Sequence, residues 1–128
     1  IMGFPNLKYF TLEEFDSPDL PSSGQEMDNN FLRMLEDART IAGISFKINS
    51  GYRTESHNSS VGGKPKTASS KGSSHMYGYA ADISATSGSQ RWIIVRSLIE
   101  AGFTRIGIAK SFIHADNDPD KPSAIWSY

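Results

Sequence analysis

From Asp28 to Ala42 the apolar residues Phe31, Leu32, Leu35, Ala38, Ile41 and Ala42 recur at spacings of three and four, while Arg33, Glu36, Asp37 and Arg39 or Thr40 mostly face away. That pattern predicts an amphipathic helix, and Gly43 is a natural stop. A second stripe, Trp92, Ile93, Val95, Leu98, Ile99 and Ala101 around Arg96, predicts another helix, opened by a Ser87/Gln90 capping box and ended by Gly102. Its wide apolar face is expected to cover a sheet, with Trp92 packed between helix and sheet. Alternation at period two in Ile44, Phe46 and Ile48 predicts a strand ending at Asn49-Ser50-Gly51. Tyr79 to Ile83 reads as a short strand of mostly small residues, and Arg105–Lys110 and Phe112–Asp116 are placed to pair as a hairpin. Near the start, Thr11 and Glu14 cap a short helix in Tyr9–Phe15, with Phe10 stapled onto Phe15. The sum is an α+β domain: two main helices over a small, mainly antiparallel sheet.

The segments between these elements are polar. Asp16–Gln25 carries two prolines, a glycine and three serines and reads as an exposed loop; Val61–Gly72, with three glycines and three lysines, reads as a mobile loop. The tail from Asn117 stays polar until Ile125-Trp126-Ser127-Tyr128, aromatics that either pack across a site edge or clamp the terminus. A chain of 128 residues suits a single domain, 1–128. Thirteen basic and fourteen acidic residues give a formal charge of −1, which excludes nothing by itself but gives no reason to expect a nucleic-acid partner. The lysines of Val61–Gly72 are too few and scattered for a phosphate-binding patch. No basic region leads an apolar run at Ile1–Pro5 and no stretch is long enough to span a bilayer, so neither a secretory signal nor membrane insertion is expected. Cysteine is absent, so any metal falls to histidine and carboxylate ligands.

That restriction gives weight to Gly72–Ile83, where His75 sits in a turn and Asp82 on the following strand. Alternation places His114 and Asp116 on one face of their own strand. His75, Asp82 and His114 make a reasonable zinc site with a position left for water; a metal-free network, in which His75 bonds its own loop and Asp82 pairs locally, is the competing reading. In the polar run Gly51–Asn58, Arg53 carries a rigid fork suited to a substrate carboxylate or a developing oxyanion, or else to a surface salt bridge. His57 reads as a loop histidine. For the water proton, Asp116 is the nearest carboxylate to a ligand and is expected either as the base or as an acceptor that orients a histidine, with Glu55 in reserve.

Taken in order, Ser50-Gly51-Tyr52-Arg53-Thr54, His57-Asn58, Val61-Gly62-Gly63, Ser73-Ser74-His75 followed by Gly78, Ala80 and Asp82-Ile83, and Phe112-Ile113-His114-Ala115-Asp116 resemble the motifs of the M15 zinc peptidases. That family includes D-alanyl-D-alanine carboxypeptidases and phage peptidoglycan peptidases, and shares its fold with the hedgehog signalling domain. The resemblance covers about Phe10 to Asp116. It implies one zinc held by His75, Asp82 and His114 in a cleft, Arg53 on the substrate or transition state, Ser73 placing the loop or touching substrate, and a cell-wall peptide containing a D-amino acid as partner. Characterised branches carry Asp or Glu three positions before the last histidine as base, where this chain has Ser111. The expectation is therefore a monomeric zinc peptidase of peptidoglycan, of phage or prophage type, with Asp116 taking over as base. The alternative is a zinc-stabilised wall-binding or virion domain that does not cut.

Overall fold

The computed structural model describes residues 6–128, so Ile1–Pro5, where the leader expectation falls, lie outside them. Asp28 opens the long helix α1 (Asn29–Ala42) by accepting the Phe31 N–H at 2.9 Å, and Gly43 closes it in the left-handed region at φ 69°. Phe31, Leu32, Leu35 and Ala38 are buried, as their spacing requires. The 3-10 turn Leu12–Phe15 forms as expected: the Thr11 N–H donates to the Glu14 carboxylate at 2.8 Å, and the Phe10 and Phe15 rings meet edge to face.

Asp16–Gln25 is exposed over residues 18–22, as its composition suggests, but it is ordered. The Asp16 carboxylate accepts the Ser22 and Gly24 N–H groups at 3.1 and 2.7 Å, and Ser17 and Ser23 are buried. Local side-chain to backbone bonds replace apolar packing there, which composition alone does not reveal. The strand expected over Ile44, Phe46 and Ile48 is short: β1 is Ile48–Ser50, while Phe46 is buried ahead of it. Thr54 then caps the six-residue helix α2 (Glu55–Ser60) by accepting the His57 N–H at 3.1 Å.

Strand β2 (Ala80–Ser84) leads into helix α3 (Gly88–Glu100), whose start is held by Ser87 accepting the Gln90 N–H at 3.1 Å. The α3 face differs from expectation. Its buried side chains are Ile94, Ser97 and Leu98, a narrow i, i+3, i+4 strip, while Trp92 is 63% exposed under the Arg96 guanidinium. Trp92 is thus on the solvent flank and not in the packing between helix and sheet. Strands β3 (Arg105–Ile108) and β4 (Phe112–Asp116) form the expected hairpin, closed by the Ala109 N–H donating to Phe112 O at 3.0 Å. The tail adds a strand that periodicity missed, β5 (Ala124–Ser127), parallel to β3.

The five strands make one sheet in the order β1-β2-β4-β3-β5, antiparallel except at β3–β5. Ala81, Ile83, Ile106, Ile113 and Ala115 share the core with α1, Ile94, Leu98 and Phe103, so the helices cover one face. The other face carries the polar residues of the same strands.

Gly78 ties this architecture to the turn before β2. It has φ 77°, a Cβ there would collide with the Glu26 carbonyl oxygen, and its own carbonyl accepts the Asp28 N–H at 2.9 Å. Gly43 has a similar φ of 69° but open space around it. Gly43→Ala is therefore expected to cost about 1–2 kcal/mol, the left-handed penalty alone, and Gly78→Ala clearly more, because backbone must also move; chemical denaturation of both variants measures the difference.

Candidate active site

Register sets the centre. Ser50 pairs with Asp82, Asp82 with His114, His114 with Gly107 and Gly107 with Trp126, so one rung crosses all five strands on the face away from the helices. His75 joins from the 3-10 turn Ser74–Tyr77, which Ser73 caps by accepting the His75 N–H at 3.3 Å and Gly78 closes. One backbone bond and one side-chain bond aim that turn at the rung: the Arg53 N–H donates to His75 O at 3.0 Å, and the His75 Nδ1–H donates to Gly51 O at 2.8 Å.

The donors converge. His75 Nε2 lies 3.3 Å and His114 Nδ1 3.1 Å from the same oxygen, Asp82 Oδ1, and one ligand atom from each residue falls within 4.8 Å of the others. Each histidine has its remaining nitrogen engaged, His75 by Gly51 O and His114 by Asp116 Oδ2 at 2.6 Å. Those bonds leave His75 Nε2 and His114 Nδ1 to present lone pairs once deprotonated, the arrangement a histidine-ligated metal needs. The chemistry of the set, two imidazoles and a carboxylate, fits zinc with an open position.

Electrostatics agree with proton-for-metal exchange. Burial pushes the His75 imidazole below its ordinary pKa, against the pull of Asp82. Burial also acts downward on His114, but the hydrogen bonds and charges of Asp116 and Asp82 outweigh it and lift His114 above the ordinary value. Asp82 is held well below the carboxylate range: burial works against this, and His114 and His75 overcome it.

Arg53 lies beside this centre, with Nη2 3.2 Å from Asp82 Oδ2, Nε donating to Ser50 Oγ at 3.0 Å and Nη1 to Asn58 Oδ1 at 3.3 Å. It is thus not a surface salt bridge. Burial pulls its pKa down and the Asp82 charge opposes this, so the guanidinium stays a cation wedged between partners. Asp116, 1% exposed, has both oxygens committed: Oδ2 to His114, and Oδ1 to Arg105 Nε at 2.7 Å and the Asp118 N–H at 3.2 Å. Glu55 is exposed at the start of α2 and is not among the residues lining the cavity. Ser111 is exposed in the β3–β4 turn. His57 lies in helix α2 and not in a loop, and it is not one of the three donors.

A cavity of about 580 Å³ opens over the centre, lined by Arg53, Ser73, His75, Asp82, His114 and Asp116, with residues of the 61–72 segment and the tail. Sequence reasoning placed the donors and Arg53 but missed their supports. Arg105 was read only as part of a strand, although the hairpin register pairs it with Asp116. Asp118, 3% exposed, accepts from Ser74 Oγ at 2.7 Å and Lys71 Nζ at 2.9 Å and so anchors the His75 turn. Asn58 joins Arg53 to the loop by donating to Lys64 O at 3.0 Å. Asp118 reaches 44 and 47 residues along the chain and Arg105 across its hairpin, whereas Asn58 bonds residues five and six positions away; none of these polar contacts leaves a trace in apolar periodicity.

A helix-backed sheet with a buried His-Asp-His cluster at the base of a cleft defines a single-metal hydrolase type of site. The chain belongs to the peptidase M15 family, whose sequence model, described as Peptidase M15, matches residues 8–116. Membership implies a zinc-dependent metallopeptidase. A comparison with curated proteins returns no match.

Two outcomes follow for the metal. One zinc per chain is expected by elemental analysis, with His114→Ala abolishing retention and Asp116→Asn weakening affinity about 10- to 100-fold through the lost support of His114. Because His114 has a raised pKa without metal, uptake must displace its proton: apparent zinc affinity, measured by chelator competition, should rise as pH is raised from about 5 to about 8 and fall on acidification.

Proposed function

We propose that this protein hydrolyses a peptide bond in the stem peptides of bacterial peptidoglycan. The observation that carries the reading is the convergence of His75, Asp82 and His114 beside Arg53 in a cavity open to a peptide, within a chain of the M15 family. When bound, zinc supplies a Lewis acid that brings the pKa of water toward neutrality and polarises a scissile carbonyl.

The chain's own residues do the rest. Arg53 is braced by Ser50, Asn58 and Asp82, so its charge is already oriented when negative charge grows on the carbonyl oxygen. Ser73 holds the His75 turn and borders the cavity, which fits a placing role with substrate passing over it. We assign Asp116 to orienting His114, not to receiving a proton as base, because both its oxygens are already engaged, Oδ2 by His114 and Oδ1 by Arg105 and the Asp118 N–H. Lys64, Lys121, Arg53 and Arg105 line the cavity with Asp82 and Asp116, a surplus of cations that suits the carboxylates of a stem peptide.

A second reading draws on Ser111 and the committed Asp116: a zinc-stabilised domain that binds wall peptide without cutting. Digestion of soluble muropeptides with product mass analysis separates the two. Cleavage is expected, with loss of one terminal residue marking a carboxypeptidase and separation of cross-linked stems an endopeptidase. Arg53→Ala should lower kcat about 100-fold while the protein keeps its zinc. Intact muropeptides of every type after incubation with the zinc-loaded wild type would leave only the binding reading.

A further inference from the structure

Gly107 sits in the middle of β3 without a positive φ, so its lack of a side chain answers a need for space. A Cβ there would lie 2.6 Å from Trp126 Nε1 and 2.9 Å from Tyr128 Cε2. The two aromatics therefore lie over bare backbone at the position that pairs with His114. Trp126 packs its ring 5.4 Å from the His114 ring, with the Arg105 guanidinium 5.0 Å from the indole centroid. Tyr128 follows two residues on, its N–H donating to Ile108 O at 3.1 Å and its ring 5.2 Å from Phe112. Both border the cavity, and Tyr128 is 70% exposed. Neither lies within the family match, which stops at 116.

The placement puts a neutral donor on the wall opposite Arg53. Sheet order puts β1, which carries the Arg53 partner Ser50, on one side of the Asp82–His114 pair, and β5 on the other. Three of the cavity's cationic donors already serve protein acceptors: Arg53 as described, Arg105 on Asp116, and Lys121 on Gly72 O and Ser74 Oγ at 2.8 Å each. A phenol on the opposite wall is a neutral donor with a rigid stem, able to meet a peptide carbonyl without a competing counter-ion.

We propose that Tyr128 is a substrate-contacting residue of the hydrolysis, its hydroxyl donating a hydrogen bond to the peptide lying over the His-Asp-His centre, with Trp126 as the wall that seats it and Gly107 as the notch that admits both. The inference rests on the peptidase reading above. It is tested with zinc-loaded wild type, Tyr128→Phe and Gly107→Ala, each assayed for cleavage of soluble muropeptides and for their binding by calorimetry, alongside zinc content and Tm.

Tyr128→Phe is expected to lower kcat/KM about 10- to 100-fold with zinc content and Tm unchanged. Gly107→Ala should move activity the same way by displacing the pair. Equal kcat/KM in wild type and Tyr128→Phe overturns this inference while leaving the peptidase reading intact; so does a loss confined to variants that also lose zinc or Tm, which makes the tail a packing element. A wild type that binds muropeptides without cutting overturns hydrolysis alone, and weaker binding by Tyr128→Phe then supports the contact where equal binding overturns it. A wild type that neither binds nor cuts overturns both.

Discussion

The site depends on strand register. Asp82 and His114 face one another because β2 and β4 pair at those positions, and a slip of one residue in either strand would turn that strand's polar residue toward the helices. The apolar alternation prevents it: Ala81, Ile83, Ile113 and Ala115 occupy the intervening positions and are fully buried against the helical layer. The core therefore does more than stabilise the fold. By fixing which residues point inward, it fixes which polar groups meet on the outer face, and Arg105 beside Asp116 and Trp126 beside Gly107 follow from the same alignment.

A buried row of ionisable groups is costly unless every member is satisfied. Here each is. Asp82 takes His75, His114 and Arg53; His114 passes its other nitrogen to Asp116; Asp116 takes Arg105; and Asp118 takes Ser74 and Lys71. The row runs from the sheet into the His75 turn, so holding the donors and holding the loops around them are one task. This also explains why the His75 turn is tied to Gly51 and Arg53 by backbone: with no strand of its own, its aim must come from neighbouring chain.

The legible parts of the sequence were those that repeat or are local. The α1 stripe, its Asp28 and Gly43 ends, the β3–β4 hairpin and the donors His75, Asp82 and His114 all follow from spacing or motif order. The α3 face was misread because Trp92, Ile93, Ile94, Val95, Leu98 and Ile99 offer apolar residues on nearly every side, and only tertiary packing selects Ile94 and Leu98. β5 was missed because it pairs in parallel with a distant strand and has no alternation of its own to signal burial. The order within the exposed loop Asp16–Gln25 was not legible because it comes from carboxylate and hydroxyl bonds to backbone, which leave no hydrophobic trace.

The same geometry bears on proton handling. Position 111 lies in a tight turn at the end of the sheet, closed by the Ala109 to Phe112 bond, and holds an exposed serine. Asp116 shares a strand face with His114 at a spacing of two and is bonded to the imidazole nitrogen that does not face Asp82. The acidic groups lining the cavity, Asp82 and Asp116, are thus both occupied in holding donors and cations. Besides them the open volume is bordered by cationic, hydroxylic and aromatic groups such as Arg53, Lys64, Lys121, Ser73, Trp126 and Tyr128, and by Val61 and glycines of the 61–72 segment. Such a lining favours anionic ends of a peptide and charge that develops on oxygen. In the hydrolysis proposed above, such a lining would weight catalysis toward electrostatic stabilisation of the transition state, and His75, Asp82 and His114 would hold the metal whose acidity acts on water.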